Sequence, residues 1–268
     1  MSPRPFEFVP LPPERSLTKP RGSGLTMIVD WGVGLAAQRD LLELAGEYVD
    51  LAKVAVGTSR LYDGDRLKAK LNLYREHDVR PFLGGQFQEY VFATLGAETL
   101  PRFYDEAKRV GFEVIEISDN CVPRNDEQRA GQITLAREHG LTVFGEVGSK
   151  TETHACDQLI SQAQVCLDAG AELLLVEGAE LVEDGQIREG LLAALRNKLD
   201  LKRVLFEVPG PWISGITLAG IHDLKKMLVR EFGPDVNLAN IMPDEVMETE
   251  ALRVGLGVVG PKLADQAN

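Results

Sequence analysis

Cysteine is scarce in this chain of 268 residues: there are three, Cys121, Cys156 and Cys166. An odd number without C-x-x-C spacing argues against a disulfide framework and against a zinc site, so a reducing cytoplasm is the expected setting. Long apolar runs are missing too. No stretch approaches the roughly 18 consecutive apolar residues of a membrane span, and the first residues lack the apolar core of a signal peptide. The expectation is a soluble, cytoplasmic protein with no membrane partner. Basic residues are outnumbered, 29 against 41 acidic ones, giving a formal charge of -12. Polyanion affinity comes from Lys and Arg clusters that displace counterions, which excludes a general nucleic-acid partner. A local basic pocket for a small anion stays open. Histidines number four, and of these only His154 falls near the expected site.

Proline, by contrast, is concentrated. Six of the fourteen lie in the first twenty residues, at Pro3, Pro5, Pro10, Pro12, Pro13 and Pro20. Fixed φ and missing amide donors work against regular structure there. Residues 1–23 are therefore read as an extended arm lying on the body or on a neighbouring subunit, which would suit a homo-oligomer.

From Gly24 onward, short apolar or β-branched runs alternate with longer segments of helical period. The strand candidates are residues 25–30, 49–56, 80–83, 113–118, 142–147, 172–177, 203–207 and 235–239. Segments such as 65–76, 125–139, 155–169 and 218–232 carry apolar residues at three- and four-residue intervals. Runs apolar on both faces suit parallel strands covered by helices, joined by right-handed crossovers. Eight such units in residues 24–268 predict one domain, a single (β/α)8 TIM barrel. A nine-stranded or open α/β sheet is the alternative, because the third unit is irregular: Gly84-Gly85 is followed by residues 86–95 before the next helix, an extra segment read as a candidate lid.

In a barrel the site is built at the carboxyl ends of the strands. Here those ends are acidic: Asp30, Glu116 with Ser118 and Asp119, Glu146, Glu177 and Glu207. Each could be a solvated residue or half of a structural ion pair. As a set they point to a shared polar centre, since a core strand should avoid unpaired carboxylates. Such a centre needs cations. Lys53 and Lys150 can supply two, and a divalent ion on several of Glu116, Asp119, Glu146, Glu177 and Glu207 a third; oxygen-only ligands favour Mg²⁺ or Mn²⁺. The metal-free alternative makes Lys53 or Lys150 a base, a proton donor or a Schiff-base amine. Asn237 and Asn240, on the eighth strand, are candidate substrate ligands with Ser118, and Asp30 joins the two lysines as a candidate catalytic group.

Several ordered motifs carry a family resemblance. They are Gly24-Leu25-Thr26 leading to Asp30, Val49-Asp50-Leu51-Ala52-Lys53 with Gly57-Thr58-Ser59, Gly84-Gly85, Glu116-Ile117-Ser118-Asp119, Glu146-Val147-Gly148-Ser149-Lys150, Glu177-Gly178 and Val236-Asn237-Leu238-Ala239-Asn240-Ile241. Together they resemble phosphosulfolactate synthase from about Gly24 to Gly257. The resemblance implies a TIM barrel and a Mg²⁺-dependent lyase reaction, addition of sulfite to phosphoenolpyruvate. A plant heat-stress protein shares the family.

The chain departs from the family pattern at basic positions. Trp31 stands where the family's D-K-G has lysine, Ser149 replaces the first lysine of E-V-G-K-K, and Ala179 and Gly257 replace arginines. Anionic substrates need charge-assisted donors. The expectation is therefore the same metal-centred, enolate-type chemistry on a less anionic small carboxylate, in a mouth lined by Trp31 and the Pro209-Gly210-Pro211-Trp212 segment. A non-catalytic, stress-related interaction protein and a Schiff-base aldolase using Lys53 or Lys150 are the competing expectations.

Overall fold

A computed structural model describes residues 4–149, 153–183 and 186–257. Eight parallel strands close into a barrel in the order β1, β10, β9, β6, β5, β4, β3, β2. They are β1 (Thr26–Asp30), β2 (Leu51–Val54), β3 (Arg80–Leu83), β4 (Val114–Ile117), β5 (Thr142–Val147), β6 (Leu173–Glu177), β9 (Val204–Glu207) and β10 (Leu238–Ile241). A small antiparallel pair, β7 (Val182–Glu183) with β8 (Gln186–Ile187), follows β6. The helices are α1 (Leu35–Ala45), α2 (Gly64–Glu76), α3 (Gly85–Leu95), α4 (Leu100–Val110), α5 (Asp126–Glu138), α6 (Cys156–Asp168), α7 (Glu189–Lys198), α8 (Leu218–Phe232) and α9 (Val246–Arg253). The expected single TIM barrel is the fold observed.

Strand alternation sorts the side chains into two cores. Outward residues such as Ile28, Val54, Ile115, Val143 and Val176 pack under the helices. Inward residues, among them Met27, Phe82, Val114, Phe144, Leu175 and Leu205, form a separate cluster inside the barrel. Phe82 and Phe144 meet edge to face there, with ring centroids 5.1 Å apart. This apolar plug fills the lower barrel, and the polar inward residues Lys53, Glu116, Glu146 and Glu207 lie beyond it toward the carboxyl end.

Two expectations change. The segment 86–95 is not a lid: it is α3, whose Gln88, Glu89 and Val91 are buried against the body. The third unit thus carries two helices, α3 and α4, between β3 and β4. The last strand begins at Leu238, three residues later than expected, because Asp235 and Asn237 serve the opposite end of the barrel. Asn237 Nδ2 donates to the carbonyls of Leu201 (3.2 Å), Lys202 (3.0 Å) and Val204 (2.9 Å), while Oδ1 accepts from Leu25 N (2.9 Å). These contacts stitch β10 to β9 and β1 at their amino ends and take Asn237 out of the candidate substrate ligands.

The arm crosses that same amino end. Arg15 grips Glu250 with two hydrogen bonds of 2.9 and 2.8 Å, and Arg21 grips Asp50 likewise at 2.9 and 2.8 Å. Residues 15 and 21 are buried with their partners, which ties the arm to the end of the barrel away from the site.

Candidate active site

Lys53 on β2 points into the upper barrel and reaches across it. Its Nζ lies 2.8 Å from Glu116 Oε2 and 2.7 Å from Glu207 Oε1. Glu116, Glu146 and Glu207, from β4, β5 and β9, each present a carboxylate oxygen within 4.8 Å of the others, and all three are buried. Glu116 also accepts from Gly85 N at 3.1 Å. A side chain at Gly85 would collide with Ser118 and Glu116, so only glycine lets this amide approach the carboxylate. Asn120 Nδ2 donates to Glu146 Oε1.

Burial, opposed by Lys53 and reinforced by the charges of Glu146 and Glu207, raises the proton affinity of Glu116 well above the usual carboxylate range. Added positive charge beside Glu116 would favour its ionised form. Glu207 Oε2 is buried and has no hydrogen-bond partner among the described residues. An oxygen-only donor set of this spacing fits a hard divalent cation, with waters completing its coordination.

Above the triad, the cavity is walled by Val29, Val56, Gly84, Gln86, Asn240 and the two tryptophans. Trp31 and Trp212 touch, with centroids 4.9 Å apart and planes tilted by 36°. Asn240 sits at a bulge: between its pairs with β10, β1 advances from Thr26 to Ile28 while β10 advances from Leu238 to Ile241. The residue takes φ 60°, a left-handed conformation that Asn tolerates, and lines the cavity.

The remaining expected site residues fall elsewhere. Asp30 does not share the centre. Its side chain turns out to α2, where Lys70 Nζ lies 2.5 Å and Tyr74 OH 2.6 Å away, and it caps the next turn through Gly32 N and Val33 N, both at 2.9 Å. The alternation explains this: Met27 and Val29 are the inward residues of β1. Asp119 lies at the rim in an ion pair with Arg129 (2.5 Å), outside the cluster. Glu177 is fully buried at the end of β6, paired in register with Glu207, but it is not part of the close triad. Ser118 is buried and donates to Glu89 (2.5 Å). Lys150 lies outside the described residues.

Two glutamates that the strand-end reasoning passed over organise the mouth. Glu89 on α3, fully buried, accepts from Ser118 Oγ, from Cys121 N (2.7 Å) and from Val122 N (2.8 Å), fixing the loop after β4. Glu180 follows β6 and holds the loop after β5, accepting from Ser149 N (2.9 Å), His154 N (3.0 Å) and Arg188 Nη1 (3.2 Å), with His154 Nδ1 at 2.5 Å. An acid inside the apolar run Phe87-Gln88-Glu89-Tyr90-Val91 was the available signal for the first. Apart from Arg188, eight residues from Glu180, the partners lie 26 to 33 residues away in sequence.

No helix of the described residues is long and apolar enough to cross a membrane. Comparison with known proteins agrees with the barrel fold. The family model described as (2R)-phospho-3-sulfolactate synthase (ComA) matches residues 14–258. The phosphosulfolactate synthase of Methanothermobacter thermautotrophicus is 34% identical over 262 residues, covering 94% of this chain and 95% of that protein. That of Methanocaldococcus jannaschii is 32% identical over 244 residues, 87% and 92% of the two chains. Among solved structures, dihydrodipicolinate synthase from Agrobacterium tumefaciens superposes with a TM-score of 0.56 at 15% identity, over 91% of this chain and 78% of that one, a likeness of fold alone. With a family match across nearly the whole barrel and a curated relative at 34% identity, this chain belongs to the phosphosulfolactate synthase family and is an enzyme of its lyase class.

Proposed function

We propose that the enzyme adds a nucleophile at, or eliminates one from, a carbon near the carboxylate of a small substrate, using a divalent cation held by Glu116, Glu146 and Glu207. The observation that carries this reading is the buried triad itself, three carboxylates converging within 4.8 Å, two of them bridged by Lys53. A bound Mg²⁺ or Mn²⁺ would supply the positive charge on which enolate-type chemistry depends. Lys53 holds two of the carboxylates in register and keeps an ammonium proton within the cavity. Gly85 N orients Glu116, and the Trp31 and Trp212 rings restrict water on one side of the mouth. Lys150 remains a candidate proton carrier on the strength of the resemblance.

In the addition implied by the family resemblance, sulfite forms a sulfur–carbon bond to the methylene of phosphoenolpyruvate. The π pair moves toward the neighbouring carbon, which then takes a proton; no other bond breaks. Both reactants are anionic, yet Lys53 is the one cationic side chain among the described residues lining the cavity, and two carboxylates already face it. The aromatic pair at the mouth adds no charge. These features support a substrate less anionic than phosphoenolpyruvate with sulfite.

The unchanged parent reaction is the second reading, favoured by the 34% identity to a phosphosulfolactate synthase. Purified protein given phosphoenolpyruvate, sulfite and Mg²⁺ separates the two, with product followed by mass spectrometry. Phosphosulfolactate at an enzyme-like rate, abolished by chelator, would establish the parent reaction and overturn the substrate shift. Absence of product from protein that binds Mg²⁺ by calorimetry would support the shift. Failure to bind any divalent cation would sink the metal-centred reading.

A further inference from the structure

The catalytic cavity is small, about 60 Å³, and it is open on one side. Through Val56 and Gln86, which line both spaces, it adjoins a groove of about 530 Å³ running along α3. The two differ in chemistry. Glu116, Glu146 and Lys53 line the cavity, whereas no acid lines the groove among the described residues. Leu61, Phe87, Tyr90 and Val122 supply the groove's apolar walls, with Arg60 and Cys121 among its other lining residues.

Folding has not hidden these walls. Leu61 is 84% and Tyr90 63% exposed, so two large side chains that line the groove remain open to solvent. Phe87 is set by an edge-to-face contact with Phe103, centroids 5.2 Å apart, so the groove is preformed. Val56, on the boundary, adopts φ 47°. For a β-branched residue that conformation is a genuine outlier, and such strain clusters at sites whose geometry must be held. Its position places a branched side chain between the charged cavity and the apolar groove.

We propose that this groove is the specificity subsite of the active site, taking an apolar alkyl or aryl substituent of the substrate whose carboxylate is held in the cavity. This rests on the carboxylate-lyase reading above and narrows its substrate class. The continuity of the two spaces is the reason for choosing the substrate's own tail as the occupant. It also gives the missing basic residues a counterpart: selectivity here comes from apolar burial and not from added charge.

Calorimetric titration of the full chain with Mg²⁺, using pyruvate and phenylpyruvate as probes, tests this directly. Phenylpyruvate is expected to bind at least about tenfold more tightly, equivalent to about 1.4 kcal/mol. Ala93→Trp, at an exposed position of α3 that lines the groove, should abolish that preference and leave pyruvate affinity unchanged. Equal affinities in the unmodified chain, or a preference surviving Ala93→Trp, would overturn the subsite alone. Binding of neither probe would remove the carboxylate-site reading beneath it. A dimer dissociated by Ala93→Trp in sedimentation velocity would assign the groove to a second copy instead, also overturning the subsite.

Discussion

Lys53 Nζ lies 2.7 Å from Glu207 Oε1, joining the second strand of the barrel to one 154 residues further along the chain. Both are buried, and the same ammonium faces Glu116. Removing one member of such a group leaves a buried charge without its partner. Lys53→Met is expected to destabilise the chelator-treated protein by about 3 kcal/mol in urea unfolding, within the range for a broken buried pair. Activity should fall with it, and a smaller loss at equal divalent-cation saturation would show that the cation shares the neutralising role.

Glu207 has one oxygen on Lys53 and a second, buried oxygen without a hydrogen bond among the described residues. Glu207→Gln keeps the shape and removes the charge. The expected result is a weakening of Mg²⁺ and Mn²⁺ binding by more than about tenfold, at least the effect of losing a supporting contact around a metal site. Asp119→Asn, in contrast, should leave cation affinity within about twofold, because Asp119 is committed to Arg129. Isothermal titration of both variants compares them.

The raised proton affinity of Glu116 has a stability consequence. Its folded-state pKa lies above its unfolded value, so the folded protein holds the extra proton between the two. The associated stability is present in full below the ordinary carboxylate range and is lost as pH rises toward the folded-state value. Chelated protein should therefore melt at progressively lower temperature as pH rises above the ordinary carboxylate range. Mg²⁺ should restore stability mainly at the higher pH, where the carboxylates are free of protons. Thermal melts with and without chelator at several pH values read both slopes.

Glu180 is expected to hold the loop after β5 through its contacts at Ser149 and His154. Glu180→Gln keeps the size but replaces a charged acceptor by a neutral amide. Charge-assisted hydrogen bonds are worth about 1.5–3 kcal/mol each, so the Ser149 and His154 amides should exchange at least about tenfold faster. Hydrogen-exchange mass spectrometry reads this, and unchanged protection would show the loop to be held by other contacts.

Asn237 sits at the amino end of the barrel, where one side chain satisfies three carbonyls and a backbone amide. Asn237→Ala should cost about 1–3 kcal/mol of stability through the orphaned backbone groups. Affinity for divalent cations and for carboxylate probes should not change. Denaturant unfolding and calorimetry together separate these effects.

Alternation of apolar runs with helical periods, and the acids at successive strand ends, made the barrel and a polar centre legible in the chain alone. Both are local patterns: strand and helix periodicities, and a residue type one step past an apolar run. The chain also carries its family in ordered motifs, and Lys53, Glu116, Glu146 and Glu207 all stand at strand positions that the sequence marks as polar. What only the tertiary structure decided was which way each acid points and what it meets. Asp30 ends its strand like the others but is one step out of phase, so it faces α2 and Lys70. Asn237 and Asn240 lie in one motif three residues apart, yet the bulge and the start of β10 send them to opposite ends of the barrel. Glu89 and Glu180 acquire their roles from partners about 30 residues away. Strand phase and register are set by packing around the closed barrel, a long-range condition that no single segment encodes by itself.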